Sequence, residues 1–191
     1  MTDRPIIFSA PMVRALRAGR KTQTRRLATS PLRRCEVGDW LYVRESFAIR
    51  SIFTDVVEVG YAAHRTASHT EYVEQIPVAL ATRAKVTWPQ DRPSIHMPRW
   101  ASRLTLIVEG VKVEPLQAIS DADARAEGIE RDGGDWREYT GRPIHPLDPR
   151  ECFASLWSSL HSTEGERWQD NPDIVALTFR IVRGNINQVA A

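Results

Sequence analysis

FSAPMVRALRAGRKTQTRRL, residues 8–27, contains a helix, its end and the start of a strand. Ser9 near the N-cap and Pro11 in the first turn predict where the helix begins. Gly19 is predicted to end it, because glycine readily adopts the left-handed conformation of a C-terminal cap. Residues 22–27, TQTRRL, alternate and are rich in threonine, which predicts a strand.

Outside this stretch, apolar periodicity predicts several strands and two further helices. The strands are predicted at 5–8, 38–49, 56–63, 103–116 and 173–182, with a weaker one from 78, and the helices at 120–128 and 150–160. Ser120 with Asp123 predicts a capping box at the start of the first of these helices. Strands that follow one another with few helices between them predict an α+β fold, a small, mostly antiparallel β-barrel or sheet with peripheral helices. We expect one domain over 1–183 and a flexible tail at 184–191.

The composition argues for a soluble protein without metal or cofactor. The chain has 191 residues, 42% of them hydrophobic, and no apolar run long enough to span a membrane. Cys35 and Cys152 lack the spacing of a disulfide framework or a zinc site, which suits the cytoplasm. His64 and His69 have no carboxylate at metal-ligand spacing. We therefore expect a cytoplasmic protein with no metal site.

Basic residues are concentrated near the N-terminus. Nine of them, and no acidic residue, lie between Arg4 and Cys35. Such a segment attracts phosphates or other anions. A basic face that simply contacts water is the alternative.

Lys21 and Thr24 are the residues in this basic segment with catalytic potential. A threonine hydroxyl becomes a nucleophile when a base removes its proton, and a lysine whose pKa is lowered can be that base. Arg20, Arg25 and Arg26 supply the positive charge that lowers a lysine pKa. Residues three apart on a strand face opposite sides, so Lys21 must lie in the turn before the strand. The spacing by itself favours phosphate binding over catalysis.

The segment GRKTQTRR, 19–26, resembles the signature loop of ASCH domains, a branch of the PUA-like superfamily with the pattern Gly-x-Lys-x-x-Glu-x-Arg. Gly19, Lys21 and Arg26 match this pattern, and Thr24 stands where the family has glutamate. Small bacterial ASCH proteins that act as N(4)-acetylcytidine amidohydrolases also have threonine there. In those enzymes the loop lysine, the threonine and a glutamate of a later helix are assigned as catalytic.

The resemblance implies that the fold is a PUA-like β-barrel and that the protein catalyses the reaction of these amidohydrolases. Glu127 occupies the matching position in the predicted helix at 120–128. The implied enzyme removes an acyl group from N(4)-acylcytidine-type modified nucleosides without a metal. Thr24 would attack, Lys21 would take its proton, Glu127 would protonate or position the leaving nitrogen, and Arg26 or a backbone N–H would hold the oxyanion.

The segments FSAPMVRALRAGRKTQTRRL and SIHMPRWASRLTL also resemble larger ASCH-like proteins common in bacteriophages and prophages. This resemblance implies a location in the cytoplasm, that of the host if a phage encodes the protein. Two insertions, near 50–102 and 130–149, distinguish it from the small amidohydrolases.

Residues expected to contact a modified nucleoside or RNA are basic or aromatic groups and one glutamate near the implied cleft. They are Arg20, Arg25, Arg26, Arg44, Glu45, His96, Arg99 and Trp100. Trp40, Tyr42 and Trp88 are further candidates for an aromatic wall against a planar base. Two other functions stay open: a PUA-like module that binds RNA or single-stranded nucleic acid, and a ribonuclease that uses the same basic cleft.

Overall fold

The structure is a computed structural model that describes residues 2–64, 73–81, 92–141 and 148–189. Its strands are β1 (Asp3–Ile7), β2 (Gln23–Leu27), β3 (Trp40–Arg44), β4 (Phe47–Ile52), β5 (Val56–Tyr61), β6 (Val73–Pro77), β7 (Leu104–Pro115), β8 (Arg131–Asp132), β9 (Asp135–Trp136) and β10 (Asp173–Arg183). Its α-helices are α1 (Ala10–Arg17), α2 (Val78–Ala81), α3 (Asp121–Ala126), α4 (Pro149–Leu160) and α5 (Ile186–Val189). Short 3-10 helices lie at Pro31–Arg34, Ala62–His64, Ser94–His96, Arg99–Ala101, Leu116–Ala118 and Trp168–Asp170.

The strands form a mixed sheet, a smaller antiparallel sheet and a hairpin. The mixed sheet has the order β1-β3-β7-β10-β2, and the smaller one the order β4-β5-β6. β1 runs parallel to β3, whereas β3–β7, β10–β2, β4–β5, β5–β6 and the β8–β9 hairpin are antiparallel. The predicted α+β class is confirmed.

The chain divides into two compact units, each with its own apolar core. The first unit comprises Met1–Arg14, Asp39–Ile107 and Ile181–Ala191, and the second comprises Ala15–Gly38 and Val108–Arg180. One core of the first unit consists of Phe47, Ile49, Val57, Val59, Tyr61, Met97 and Ala101. That of the second consists of Leu116, Ile119, Ala124, Ile129, Cys152, Phe153, Trp157, Ile174 and Ala176.

The start of α3 shows the capping predicted from its sequence. The Ser120 hydroxyl accepts a hydrogen bond from the Asp123 N–H at 3.1 Å, and the Asp123 carboxylate accepts one from the Ser120 N–H at 3.3 Å. These reciprocal bonds satisfy two N–H groups that a helix start otherwise leaves without partners. Glu127 is the C-cap residue, so the end of α3 determines the position of its Cα and Cβ atoms.

Residues 78–81 differ from the prediction. The sequence predicts a weak strand from 78, but Val78–Ala81 form α2, where the alanines favour helix. The rest of that predicted strand and Trp88 lie outside the described residues, as does His69.

The segment predicted as a flexible tail starts with a buried residue. The side-chain amide of Asn185 lies within 3.0 Å of the carbonyl oxygens of Arg99, Trp100 and Ser102, and α5 follows it. None of the helices in the described ranges has the length and apolar character needed to cross a membrane.

Candidate functional site

Lys21 lies where the chain passes from α1 towards β2, and its backbone contacts the end of α3. Its N–H donates to the Ala15 carbonyl at 3.2 Å, and it forms an isolated antiparallel bridge with Glu127. The next N–H, that of Thr22, donates to the Ala126 carbonyl at 2.9 Å. Backbone pairing therefore brings the lysine of the basic segment to the glutamate that ends α3.

Gly128 makes this close approach possible. Its φ is +79°, and a Cβ at this position would lie 2.8 Å from the Lys21 Cβ and 2.9 Å from the Ala15 Cβ. Only glycine adopts such a backbone conformation without steric cost and leaves that space empty. The glycine that caps α3 therefore also determines how closely Glu127 and Lys21 meet.

The Lys21 side chain is buried and bonded to Glu127 twice. Its Nζ donates to the Glu127 carboxylate at 2.9 Å and to the Glu127 carbonyl at 2.7 Å. Only 2% of Lys21 and 3% of Glu127 is exposed. Burial lowers the pKa of Lys21 against the opposing effect of Glu127, and the charges of Arg26 and Arg25 lower it further. The pair thus contains a lysine that loses its proton more readily than an exposed one.

Arg25 extends the pair into a buried ion network. Its Nη1 lies 3.2 Å from the other Glu127 oxygen, and its Nη2 lies 3.1 Å from Glu114 and 3.4 Å from Asp123. Lys112, which is mostly exposed, contacts the second oxygen of Glu114 at 2.6 Å. The Glu127 carboxylate therefore binds two cations, one through each oxygen.

Asp123 serves this network and the helix together. Partial burial acts to raise its pKa, but hydrogen bonds with Ser120 and Gln23 and the charge of Arg25 lower the pKa overall. The Asp123 carboxylate therefore stays ionised well below neutral pH, and its negative charge stabilises the guanidinium of Arg25.

The Thr24 hydroxyl is not bonded to the Lys21–Glu127 pair in the described part of the chain. Thr24 is fully buried and pairs with Leu177 across the sheet, on the face of β2 opposite to that of Arg25. Its Oγ1 accepts a hydrogen bond from the Arg26 Nη1 at 2.9 Å. Burial lowers the pKa of Arg26, opposed by the charge of Glu127. The structure thus brings Lys21, Arg25 and Glu127 together, and joins Thr24 to Arg26.

The remaining residues expected to bind substrate fall in different places. Arg20 is exposed beside Lys21 in the second unit. Those in the first unit are Arg44, Glu45, His96, Arg99 and Trp100. Arg44 donates to the Ile95 carbonyl, Arg99 pairs with Asp3, and His96 is exposed. Trp100 is partly buried against the apolar core of its unit.

Glu45 has a partner that sequence reasoning missed. Arg103 binds both of its oxygens, at 2.8 and 3.0 Å, and its guanidinium lies 3.8 Å from the centre of the Tyr61 ring. The signal in the sequence that could have identified this partner is Arg103, a cation directly before the apolar strand β7. For Arg25, the missed partners are Glu114, an acid within that strand, and Asp123, which the sequence assigns only to capping.

Neither Cys152 nor a metal site provides an alternative reaction centre in the described residues. Burial raises the pKa of the Cys152 thiol to about 12, so this thiol is protonated at neutral pH. Among residues 2–64, 73–81, 92–141 and 148–189, no three or more histidine, cysteine, aspartate or glutamate side chains are grouped to hold a metal ion.

In comparisons with known proteins, no protein-family model, no curated protein and no solved structure matches the chain.

Proposed function

We propose that the protein is an amidohydrolase that removes the acyl group from N(4)-acylcytidine-type modified nucleosides, with a PUA-like barrel as its fold. The observation that carries this proposal is the buried Lys21–Glu127 pair, in which the pKa of the lysine is lowered. The resemblance of the loop around Lys21 to that of the ASCH amidohydrolases supplies the substrate class.

A purely structural role explains the pair less well. Removing two charges from water costs several kcal/mol per ion, and the gain from their attraction roughly offsets that cost. Well-packed apolar residues hold a strand to a helix at least as well. Groups with shifted pKa values are concentrated at catalytic sites. The network around Lys21 therefore favours chemistry over stability as its purpose.

The proposed reaction uses the same residues that the loop resemblance implies. The neutral amine of Lys21 takes the proton of the Thr24 hydroxyl while Thr24 Oγ1 attacks the acyl carbon. The C–N bond then breaks, the cytosine amine leaves with a proton delivered through Glu127, and the acyl group stays on Thr24 as an ester. Water hydrolyses this ester, which releases the carboxylic acid and restores the threonine.

The position of Arg26 supports Thr24 as the attacking group. Its Nη1 lies 2.9 Å from Thr24 Oγ1, so a cationic donor is next to the atom on which negative charge develops. Such a donor stabilises an alkoxide and the oxyanion that follows.

The geometry adds two conditions to this mechanism. Lys21 must exchange its bond to Glu127 for one to Thr24, and the substrate must gain access to side chains that are at most 2% exposed. A water molecule activated by Lys21 would need only the second condition. Replacing Thr24 therefore distinguishes the two nucleophiles.

Binding of nucleic acid is the second candidate, and one observation favours it. A surface cleft of about 620 Å³ is lined by Ala28, Thr29, Ser30, Pro31, Arg33 and Arg34, so exposed arginines border a concave surface. Lys21 and Arg25 contribute little to a phosphate clamp, because buried carboxylates already neutralise them. This is why hydrolysis remains the first proposal.

Release of cytidine tests the hydrolase. Purified protein is incubated with N(4)-acetylcytidine and a chelator, and cytidine is followed by chromatography for the wild type, Thr24→Ala and Thr24→Ser. We expect release by the wild type, partial activity in Thr24→Ser and none in Thr24→Ala. If Thr24→Ala keeps its activity, the nucleophile is a water molecule and not the threonine. No release by the wild type, together with salt-sensitive RNA binding, would favour the binding module.

A further inference from the structure

A second cleft, of about 610 Å³, lies in the same unit as the Lys21–Glu127 pair. Its lining consists of Arg20, Arg125, Ile129, Glu130, Arg131 and Trp136. Pockets of this size hold nucleotide-sized ligands. Three arginines, one acid and one large aromatic ring make it chemically distinct from an apolar groove.

Backbone pairing places this cleft next to the pair. In an antiparallel bridge between Lys21 and Glu127, Arg20 lies opposite Gly128. The residues that follow, Ile129 to Arg131, continue from there. Arg20 directly precedes Lys21 in the chain, and Ile129 follows Glu127 after one residue. The cleft therefore lies next to the proposed reaction centre.

The cleft is positively charged. Its acid, Glu130, bonds to Arg137 at 2.6 Å. The carboxylate nearest to Arg125 is that of Asp121, at 3.9 Å, and both side chains are about half exposed, so this ion pair contributes little. Arg20 is exposed. The lining of the cleft therefore has three arginines and one acid.

One of the arginines is held in place before any ligand arrives. The Arg131 guanidinium lies 4.4 Å from the centre of the Trp136 ring, its partner across the β8–β9 hairpin. Its Nη1 donates to the Gly134 carbonyl at 2.9 Å. Stacking on a ring fixes the guanidinium plane but leaves donors at its edge, and planar guanidinium forks match phosphate oxygens.

We propose that this cleft binds a phosphate group of the substrate, so that the enzyme favours the modified base of a nucleotide over that of a free nucleoside. This inference rests on the proposed function for the identity of the base, and on the three arginines for the phosphate. The phosphate belongs either to a mononucleotide or to the backbone of single-stranded RNA, and the recognition chemistry is the same.

Binding measurements without turnover test the subsite. Calorimetry with cytidine, cytidine 5′-monophosphate and pentacytidylate compares a ligand without phosphate, one with a terminal phosphate and one with backbone phosphates. Charge-assisted hydrogen bonds predict that a phosphate strengthens binding roughly 10–100-fold over cytidine. The ligand that shows the gain identifies the source of the phosphate.

Arginine variants assign the gain to this cleft. In Arg20→Gln, Arg125→Gln and Arg131→Gln, the affinity ratio of the phosphorylated ligand to cytidine should fall towards one. Arg180→Gln removes the same charge from an exposed residue of β10 and should keep the wild-type ratio. Equal binding of all three ligands by the wild type, or a gain that survives in the arginine variants, would overturn the subsite.

The two proposals fail in different ways. If the wild type releases neither cytidine from N(4)-acetylcytidine nor cytidine 5′-monophosphate from its 5′-monophosphate, but keeps an arginine-dependent preference for phosphate, the hydrolase is wrong and the subsite stands. If cytidine is released but phosphate adds no affinity, the subsite is wrong and the hydrolase stands.

Discussion

Two buried ion pairs, one in each unit, use different cations. In the first unit, Arg103 binds both oxygens of Glu45 and lies against the Tyr61 ring, with exposures of 4% and 1% for the two paired side chains. In the second unit, Lys21 binds one oxygen of Glu127, with similar exposures of 3% and 4%. Burial is therefore the same in the two regions, and the chemistry of the cation is not.

This difference determines what each pair can do. The planar guanidinium of Arg103 matches a carboxylate with two parallel hydrogen bonds, which suits a structural ion pair. A lysine in the same degree of burial loses its proton more easily, and Lys21 has a lowered pKa. Glu127 also has a second cation in Arg25, so it is not left alone when Lys21 becomes neutral. Burial alone therefore does not distinguish the two pairs, whereas the ability of the buried cation to lose its proton does.

The largest effect is expected from Lys21→Met. A general base contributes about 10²–10⁴-fold to a rate, so release of cytidine should fall by that factor. Arg180→Met is the control, since Arg180 is 57% exposed, lies outside this ion network and should keep the wild-type rate. Circular dichroism verifies that both variants fold. A Lys21→Met variant that hydrolyses as fast as the wild type would show that the lysine is not the base.

Glu45→Ala should have the largest effect on stability. It leaves Arg103 buried without its carboxylate, which costs about 3–5 kcal/mol of the free energy of unfolding. Lys21→Met should cost less, because Arg25 still pairs with Glu127 at 3.2 Å. Glu109→Ala removes an exposed pair with Arg180 and should stay within about 0.5 kcal/mol of the wild type. Urea unfolding measures all three. Equal losses in Glu45→Ala and Lys21→Met would abolish the contrast between the pairs.

Local signals in the sequence account for much of the frame around Lys21. Gly19 ends α1 with a φ of +71°, and the Ser120 and Asp123 side chains cap α3 as predicted. These features depend on residues within one turn of each other, so a single segment contains all the information. The α+β class follows from the order of such segments.

Local signals in the sequence could not predict the partners of Arg25 or the position of Thr24. Glu114 lies 89 residues from Arg25, and only the register of the folded strands brings the two together. Alternation along β2 shows that Thr24 and Arg25 face opposite sides, but both faces are buried, so the pattern does not say which one meets α3.

Gly128→Ala tests whether the close backbone approach maintains the pair. The added Cβ would overlap the Lys21 Cβ, and the positive φ adds strain, so the variant should lose about 2–3 kcal/mol of stability. Gly165→Ala is the matched control. Its φ is +84° with no atom within 4 Å of the added Cβ, so only the backbone strain of about 1 kcal/mol remains. Equal melting temperatures of the two variants would show that the approach at Gly128 tolerates a side chain.

The smallest effect is a pH dependence of stability that originates from Lys21. Because the pKa of Lys21 is lowered in the folded protein, the unfolded chain keeps that proton up to its ordinary value of 10.5, while the folded chain loses it earlier. Between these two pKa values the unfolded state binds more protons, so the free energy of unfolding rises with pH, by about 1.4 kcal/mol per unit of difference. Lys21→Met should remove this rise and Arg103→Met should keep it, as urea unfolding at several alkaline pH values would show. The rate of hydrolysis should increase through the lowered pKa, since the base acts in its neutral form. A stability profile unchanged by Lys21→Met would mean that the pKa of the lysine is not lowered in the folded protein, and the proposed contrast between the two buried pairs would be lost.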